Sequence, residues 1–313
     1  CDYAHKFGAK IFITLNTILY DSELEAAYRF MLDVQEAGAD AIIVQDMAVI
    51  AMAQNGIGNI KEDIRIPLHA STQCAIRTPE QAKFLEDLGF SRIILERQLS
   101  LDQIRAIRDA VSCEIEFFVH GAICVCYSGQ CYLSEKIAGR SANRGCCAQA
   151  CRSLYTLADS TGKEVKDANG NPLAKDLPVL SLKDFNLSNH IPQLVEAGIT
   201  SFKIEGRLKN ESYIKNVVLL YRRKIDEFLQ QNSNYKRASY GECLGGFTPN
   251  PAATFNRDYT TLFINGQRGK WRSKDGAKYL GEYIGTVTGT GKNRYGDSVS
   301  FAEYYLIEED NNA

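Results

Sequence analysis

The chain has 313 residues, of which 45% are hydrophobic and 24% charged, and its formal net charge is −2. This composition is typical of a soluble globular protein. No run of about 18 apolar residues occurs, which excludes a membrane-spanning helix, and the polar first ten residues do not form a signal peptide. The near-neutral charge is also atypical of proteins that bind duplex nucleic acid over their whole surface. We therefore expect a cytoplasmic protein with one large domain and a small appendage.

Apolar runs alternate with helical stretches from residue 10 to about residue 230. Nearly continuous apolar strands that alternate with amphipathic helices predict a parallel sheet covered on both faces. The first ten residues look like the last turns of a helix closed by Gly8, so we expect the chain to begin inside a βα unit. The apolar runs span residues 10–17, 40–46, 66–72, 91–98, 113–122, 178–184 and 200–207.

Seven such strands, with at least one more expected upstream, predict an α/β fold of the (β/α)8 TIM-barrel type that lacks its first strand or strands. A doubly wound sheet is the weaker alternative, because no G-x-G-x-x-G follows any of the strands. In a barrel the carboxyl ends of the strands share one face, where active sites are built. Some polar residues at these ends, such as Asp46 and Ser71, are better explained as helix caps. The remaining ones include His69, Gln73, Glu96, His120, Lys183, Asp184, Lys203, Glu205 and Arg207.

The predicted barrel spans residues 1–230 and carries two additions, a cysteine loop over 121–152 and a β-hairpin insertion over 155–176. Residues 231–254 are predicted to be a linker, and residues 255–313 a small β domain rich in glycine and aromatic residues. A basic, aromatic-interleaved patch in this domain is typical of a surface that stacks on single-stranded RNA. It is equally typical of solvated hairpin loops. The patch comprises Arg257, Arg268, Lys270, Arg272, Lys274 and Lys278, with Tyr259 and Trp271 among them.

Residues 116–152 hold six of the ten cysteines, and four of these follow the spacing C-x6-C-x15-C-x3-C. A structural zinc site usually has paired C-x2–4-C knuckles, and only the last pair fits that spacing. A cysteine peptidase would pair one thiol with His120 and leave the other three without a purpose. A four-thiolate iron–sulfur cluster uses all four, so the residues favour it while leaving zinc and free thiols open. The four are Cys124, Cys131, Cys147 and Cys151, with Cys113, Cys126 and Cys146 as bystanders.

The sequence HGAICVCYSGQCYLSEKIAGRSANRGCCAQACR (120–152) closely resembles peptidase family U32, the collagenase-like proteases. The resemblance continues through residues 180–188, 201–217 and 255–260 and so covers essentially the whole chain. Within the family, the chain is most similar to the branch that forms 5-hydroxycytidine in 23S ribosomal RNA. Sister branches hydroxylate tRNA uridine or ubiquinone precursors without molecular oxygen.

The resemblance implies a [4Fe–4S] cluster held by the four spaced cysteines, with Cys243 as the spare candidate for the fourth ligand. It also implies prephenate as a co-substrate and a barrel whose N-terminal strand pair this chain lacks. The peptidase label remains the alternative, although the motif contains neither a Ser-His-Asp order nor an H-E-x-x-H helix.

We therefore expect an iron–sulfur enzyme that hydroxylates an RNA base, with RNA and a small carboxylate as its partners. The expected catalytic residues are His120, Lys203, Glu205 and Arg207. Glu205 or His120 would transfer a proton, and a cation would hold a carboxylate of prephenate. The expected substrate-binding residues are His69, Gln73, Glu96, Lys183 and Asp184.

Overall fold

The computed structural model describes residues 1–237, 245–267 and 269–273, together with the backbone of three later strands. It has a mostly parallel sheet with helices, which confirms the predicted α/β class. Five strands follow one another in chain order and pair in parallel with their neighbours. These strands are β1 (Phe12–Leu15), β2 (Ala41–Val44), β3 (Leu68–Ala70), β4 (Arg92–Ile94) and β5 (Glu114–Gly121).

The predicted parallel strand at 178–184 is wrong in both extent and direction. Strand β6 is Asp184–Asn186, and it runs antiparallel to the carboxyl end of β5, with His120 opposite Asn186. The chain returns from the cysteine loop at that end of β5, so the short strand pairs there in the opposite direction. Strand β7 (Ser201–Ile204) then takes the parallel place beside β5. Within the described residues the terminal strands of this sheet, β1, β7 and the later β9 (Tyr259–Thr260), each pair with one other strand, so barrel closure stays a prediction.

Eight helices connect these strands in the described part of the chain. The caps predicted from sequence are confirmed at Asp46, whose side chain accepts from the N–H of Ala48, and at Ser71, which accepts from the N–H of Gln73. The helices are α1 (Asp2–His5), α2 (Leu24–Glu36), α3 (Met47–Asn55), α4 (Pro79–Asp87), α5 (Leu101–Ala110), α6 (Leu133–Ala138), α7 (Ile191–Glu196) and α8 (Glu211–Gln231). None of the helices described is long and apolar enough to cross a bilayer.

The two faces of the sheet differ in chemistry, because strand side chains alternate between them. Phe117 and Val119 of β5 belong to the main core beneath the helices. Phe118 points to the opposite face, where it packs with Ile43 and Ile94.

The carboxylate of Glu116, which has the same parity as Phe118, anchors an ion network on that opposite face. It lies 2.9 Å from Lys203 Nζ and 3.2 Å from Arg92 Nη1, and it accepts a hydrogen bond from Ser201 Oγ. One face of the sheet is therefore apolar, and the other is partly charged.

The C-terminal third of the chain is tied to the main sheet. Strand β8 (Phe255–Asn256) pairs with β10 (Lys278–Tyr279), while β9 (Tyr259–Thr260) pairs in parallel with β6. Strand β9 therefore belongs to the main sheet although it follows the predicted boundary at residue 255, and the division into domains stays a prediction. Strands β11 (Thr286–Lys292) and β12 (Ser298–Glu303) form an antiparallel pair. In the predicted insertion, Tyr155 pairs with Leu177 through an antiparallel bridge. Cys243, Arg268 and Lys274 lie outside the described residues.

Candidate active site

The cysteine loop leaves β5 at Gly121, whose conformation brings the backbone against the end of β7. Gly121 has a φ of +109°, and a Cβ atom there would lie 2.7 Å from Glu205 Cβ and 2.8 Å from Glu205 O. Only glycine tolerates both this backbone conformation and this contact. The N–H of Glu205 donates to the carbonyl of His120 at 2.9 Å. The start of the loop and the end of β7 therefore form one rigid junction.

Glu96, two residues after the end of β4, anchors the middle of the cysteine loop. Its carboxylate is buried and accepts from the backbone N–H of Ser128 at 3.1 Å and from Ser128 Oγ at 3.0 Å. The next residue, Gly129, has a φ of +71°, and a Cβ atom there would lie 2.1 Å from Gln73 O. The structure therefore uses Glu96 and Gln73, both predicted to bind substrate, to position the loop.

Polar side chains within the loop fix its second half. The buried Asn143 side chain accepts from the N–H of Cys131 at 3.2 Å, and Ser134 Oγ accepts from the N–H of Ala148 at 2.8 Å. These bonds connect the two ends of the loop across more than ten residues. The positions of the thiols are consequently set by the fold of the whole loop.

The four spaced thiols all lie within electrostatic reach of one another. Desolvation by the surrounding protein raises the pKa of Cys124, and Arg97 and Arg152 act against it. Burial likewise raises the pKa of Cys151, again opposed by Arg152. A charge on Cys131 or Cys147 would raise the pKa of both thiols further, and a charge on Cys124 would also raise that of Cys151.

The donor set fits an iron–sulfur cluster in type and number, since such clusters are held by four thiolates. The N–H of Gln149 also donates to Cys147 Sγ at 3.3 Å, the kind of bond that tunes cluster sulfurs. Among the described residues, however, no three His, Cys, Asp or Glu side chains are grouped closely enough to form a ready-made metal site. The ligand set therefore stays a prediction.

The three predicted bystander thiols differ in their surroundings. Burial raises the pKa of Cys113 to about 11, and Cys146 is exposed. Cys126 lies beside Cys131 and donates its S–H to the carbonyl of Gln130 at 3.2 Å. Cys126 therefore lies near the predicted ligand Cys131, and Cys146 directly precedes the predicted ligand Cys147.

A cavity of about 400 Å³ opens beside the thiols at the carboxyl ends of the strands. Three of the spaced cysteines line it, namely Cys124, Cys147 and Cys151. Glu205 is the one carboxylate among the described lining residues. Five cations line the same cavity: Arg97, Arg152, Arg207, Lys209 and Arg257.

Carboxylates do not balance these cations. Arg97 lies 3.7 Å from Glu205, and Arg257 lies 3.3 Å from the buried Asp184. Burial raises the pKa of Asp184, which Arg257 counteracts. Two carboxylates therefore face five positive groups.

The guanidinium of Arg152 donates to neutral oxygens, at 2.6 Å to the carbonyl of Ile123 and at 3.0 Å to both the Leu182 carbonyl and Ser181 Oγ. Lys209 Nζ lies 3.5 Å above the ring of Phe255, and burial lowers its pKa. The cavity thus carries surplus positive charge, suited to a ligand with more than one negative group.

Of the four predicted catalytic residues, the structure brings two, Glu205 and Arg207, into this cavity. The ring of His120 is almost fully buried against Tyr213, Tyr221 and Tyr259, with centroid distances of 6.0, 5.6 and 5.3 Å. Burial lowers the pKa of His120 to about 4. Lys203 is engaged by Glu116 on the charged face of the sheet.

The remaining predicted residues are dispersed. His69 is buried against Phe12, and burial lowers its pKa to about 4. The backbone N–H of Lys183 donates to the carbonyl of Trp271. Asp184 reaches the site through its ion pair with Arg257.

Sequence reasoning missed Arg152, Lys209 and Arg257 as members of one site. The signal for Lys209 was its position two residues after Arg207, at the end of a predicted strand. Arg257 was assigned to a separate basic patch. No sequence pattern indicated that Arg257 lies beside the thiols.

A family model described as peptidase family U32 matches residues 1–274 of this chain. The chain is 47% identical over 292 residues to the 23S rRNA 5-hydroxycytidine C2501 synthase of Escherichia coli (strain K12), a match that covers 93% of this chain and 42% of that protein. It is 34% identical over 270 residues to the tRNA hydroxylation protein P1 of Bacillus subtilis (strain 168), covering 86% and 60%. It is 32% identical over 283 residues to a collagenase of Porphyromonas gingivalis, covering 86% and 63%. The chain thus spans about half the length of these relatives.

Proposed function

Because the chain belongs to peptidase family U32, as its motifs predicted, we propose that it hydroxylates a base of RNA, with 5-hydroxycytidine formation in 23S rRNA as the reaction. The observation that carries the proposal is the cavity in which three of the four spaced thiols meet five cations. The names of the rRNA- and tRNA-modifying relatives support an RNA substrate. An enzyme of this kind would work in the cytoplasm, and its parallel sheet would be part of a (β/α)8 barrel.

We assign a [4Fe–4S] cluster to Cys124, Cys131, Cys147 and Cys151, with Cys243 as the alternative fourth ligand. When bound, it would exchange electrons or bind the oxygen donor. Arg152 would help to keep the neighbouring thiols deprotonated, because its charge lowers the pKa of Cys124 and of Cys151.

Arg207 and Lys209 are the cations that would hold the carboxylates of a small co-substrate, for which we propose prephenate. Both line the cavity, and neither forms an ion pair with a carboxylate among the described residues. Glu205 is the group that would transfer a proton there. The side chain of Glu205 is 30% exposed, whereas that of His120 is buried against three tyrosines.

Peptide hydrolysis, which the family label and the collagenase relative suggest, is the second candidate. It requires a thiol with a histidine base in hydrogen-bonding reach. The described polar partner of His120 is the hydroxyl of Tyr221, at 3.4 Å from Nδ1, and no thiol contacts its Nε2. This geometry favours the hydroxylase. Hydroxylation of tRNA is a third candidate, supported by the name of the Bacillus subtilis relative; hydroxylation of a quinone precursor rests on the family resemblance alone.

Anaerobic purification with iron and sulfide analysis tests the cluster. We expect about four irons per chain, lost in Cys131→Ala and retained in the control Cys146→Ala, whose thiol is exposed. Stoichiometric zinc without iron would contradict the assignment. Peptide cleavage that survives removal of iron would favour the hydrolase.

The substrate is tested separately by mass spectrometry of RNA from cells that lack the gene. We expect 5-hydroxycytidine to disappear from 23S rRNA and to return with the wild-type gene but not with Cys131→Ala. An unchanged 5-hydroxycytidine level, with a hydroxylated tRNA nucleoside missing, would move the assignment to tRNA.

A further inference from the structure

Three exposed tyrosines lie on the cysteine loop or in contact with it. Tyr127 and Tyr132 are part of the loop, and Tyr20 contacts its Arg144. The exposed fractions are 60% for Tyr20, 46% for Tyr127 and 66% for Tyr132. Two of them have an arginine against one ring face: Arg144 Cζ is 3.9 Å from the Tyr20 centroid, and Arg77 Cζ is 4.1 Å from the Tyr127 centroid. Exposed aromatic rings held by arginines are preorganised, because each guanidinium restricts its ring while leaving the other face accessible. We call these five residues the tyrosine strip.

Hydrogen bonds around Cys131 connect the segments that carry the three tyrosines. Tyr132 follows Cys131 directly, and the N–H of Gln130 donates to the carbonyl of Tyr127 at 3.2 Å. On the other side, the N–H of Cys131 donates to the side chain of Asn143.

The backbone of the same Asn143 contacts the segment that carries the third tyrosine, Tyr20. Its carbonyl accepts a hydrogen bond from the N–H of Ile18 at 3.4 Å. Arg144 donates to the carbonyl of Ile18 at 2.6 Å and covers the ring of Tyr20. The segments that carry the three tyrosines are therefore hydrogen-bonded to one another around Cys131, one of the thiols assigned to the cluster.

The charge around the strip suits a polyanion. Residues 121–152 contain four basic side chains and one acidic side chain, in a chain whose net charge is −2. Arg144 is paired with Glu23 and so mainly positions Tyr20. Arg77 donates to the carbonyl of Ala75 and pairs with no carboxylate in the described part of the chain. Its charge is available to a phosphate.

We propose that the tyrosine strip binds a single-stranded segment of RNA, whose bases stack on Tyr127, Tyr132 and Tyr20 as the strand crosses Cys131. This inference rests on the proposed function and adds to it where the strand lies. Single strands fit because only unstacked bases can stack on protein rings, whereas a duplex keeps its bases inside. A strand bound in this way would bring a base close to the thiols of the cysteine loop.

The test measures binding of a fluorescein-labelled single-stranded RNA of about twelve nucleotides by anisotropy, with anaerobically purified protein. We expect Tyr127→Ala and Tyr132→Ala each to weaken binding by roughly 5- to 100-fold, the range for loss of one stacked base. Tyr127→Phe, which keeps the ring, should stay within about twofold of wild type. Tyr3→Ala is the matched control, because Tyr3 is 76% exposed and lies in α1.

Arg77→Gln gives an independent readout. Loss of one phosphate contact should reduce the slope of log affinity against log salt by roughly one. A duplex of the same sequence should bind more weakly than the single strand and should respond little to the tyrosine variants. Equal binding of duplex and single strand, or wild-type affinity in both tyrosine-to-alanine variants, would overturn the proposal.

The RNA-binding role of the tyrosine strip and the proposed function can be contradicted separately. If rRNA hydroxylation depends on Cys131 while the tyrosine variants bind RNA normally, the strip is wrong and the proposed function stands. If the strip binds single strands as expected but RNA nucleosides are unchanged in cells lacking the gene, the proposed function is wrong and the binding surface stands.

Discussion

Replacing Glu96 with glutamine tests whether this residue positions the cysteine loop or binds substrate. The carboxylate is 1% exposed and accepts two hydrogen bonds from Ser128, one from the backbone N–H and one from the hydroxyl. Glutamine has the same shape but one acceptor oxygen, so its NH2 group must face one of these donors. The hydroxyl of Ser128 can turn to accept from the amide, whereas the backbone N–H cannot.

The expected cost follows from the loss of charge. Hydrogen bonds to charged groups contribute roughly 1.5–3 kcal/mol and neutral ones roughly 0.5–1.5 kcal/mol, so weakening both bonds to Ser128 should lower the free energy of unfolding of Glu96→Gln by about 2 kcal/mol. Ser128→Ala removes only the hydroxyl bond and should cost about 1 kcal/mol. Because both changes act on one contact, the double variant should lose less than the sum, by at least about 0.5 kcal/mol.

Urea unfolding of the two single variants and the double variant measures this coupling, with iron content per chain measured on the same preparations. We expect iron to fall in Glu96→Gln, because the loop that carries the thiols is no longer held. Glu135→Gln, on the exposed side of α6, is the control and should change stability by less than about 0.5 kcal/mol. Additive effects, or full iron with wild-type stability in Glu96→Gln, would refute the positioning role and restore the substrate-binding one.

Three further predictions concern the same scaffold. Gly129→Ala should destabilise the protein and lower its iron content, since the new Cβ would meet Gln73 O at 2.1 Å with φ at +71°; urea unfolding and iron analysis measure both. Glu116→Ala should lower the free energy of unfolding by about 2–3 kcal/mol, because it leaves the partly exposed Lys203 without its partner, and unchanged urea stability would contradict this. Burial lowers the pKa of His69 in the folded state to about 4, from an ordinary value of 6.5, so the folded state binds fewer protons between these pH values. Stability should therefore be full above pH 6.5 and fall as the pH drops toward 4. The fall should be smaller in His69→Phe, as urea unfolding across that pH range will show.

The parallel strands were predictable because their pattern is local. The apolar runs at 10–17, 40–46, 91–98 and 113–122 contain β1, β2, β4 and β5, which depend on burial between helices. The run at 178–184 is equally apolar, yet its chain forms a short antiparallel strand beside β5. Its direction is decided by where the cysteine loop returns, which no local pattern records.

The same distinction separates the site residues. Glu205 and Arg207 lie at the expected edge of the sheet and line the cavity, because a strand end in a parallel sheet points to a known edge; their catalytic roles stay a prediction. Glu96 sits at an equivalent end, but its side chain turns under the loop to Ser128. Position along a strand predicts the edge a residue reaches and leaves open which partner it meets. Arg257 lies 105 residues after Arg152 in sequence and joins the same cavity only through tertiary packing.

In the proposed enzyme, the surplus cations of the cavity would have two roles that oppose each other. Metal ligands must be deprotonated thiolates, and the pKa of Cys124 and of Cys151 is raised in their desolvated setting, with Arg152 lowering both. A small carboxylate in the same cavity would draw on the same positive charge. Arg152 is bound to three backbone or hydroxyl oxygens at the base of the loop, so its charge stays with the thiols. Arg207 and Lys209, which form no ion pair with a carboxylate in the described chain, would then be the cations available to the proposed ligand. The role proposed for each cation therefore follows from the groups that its side chain already contacts.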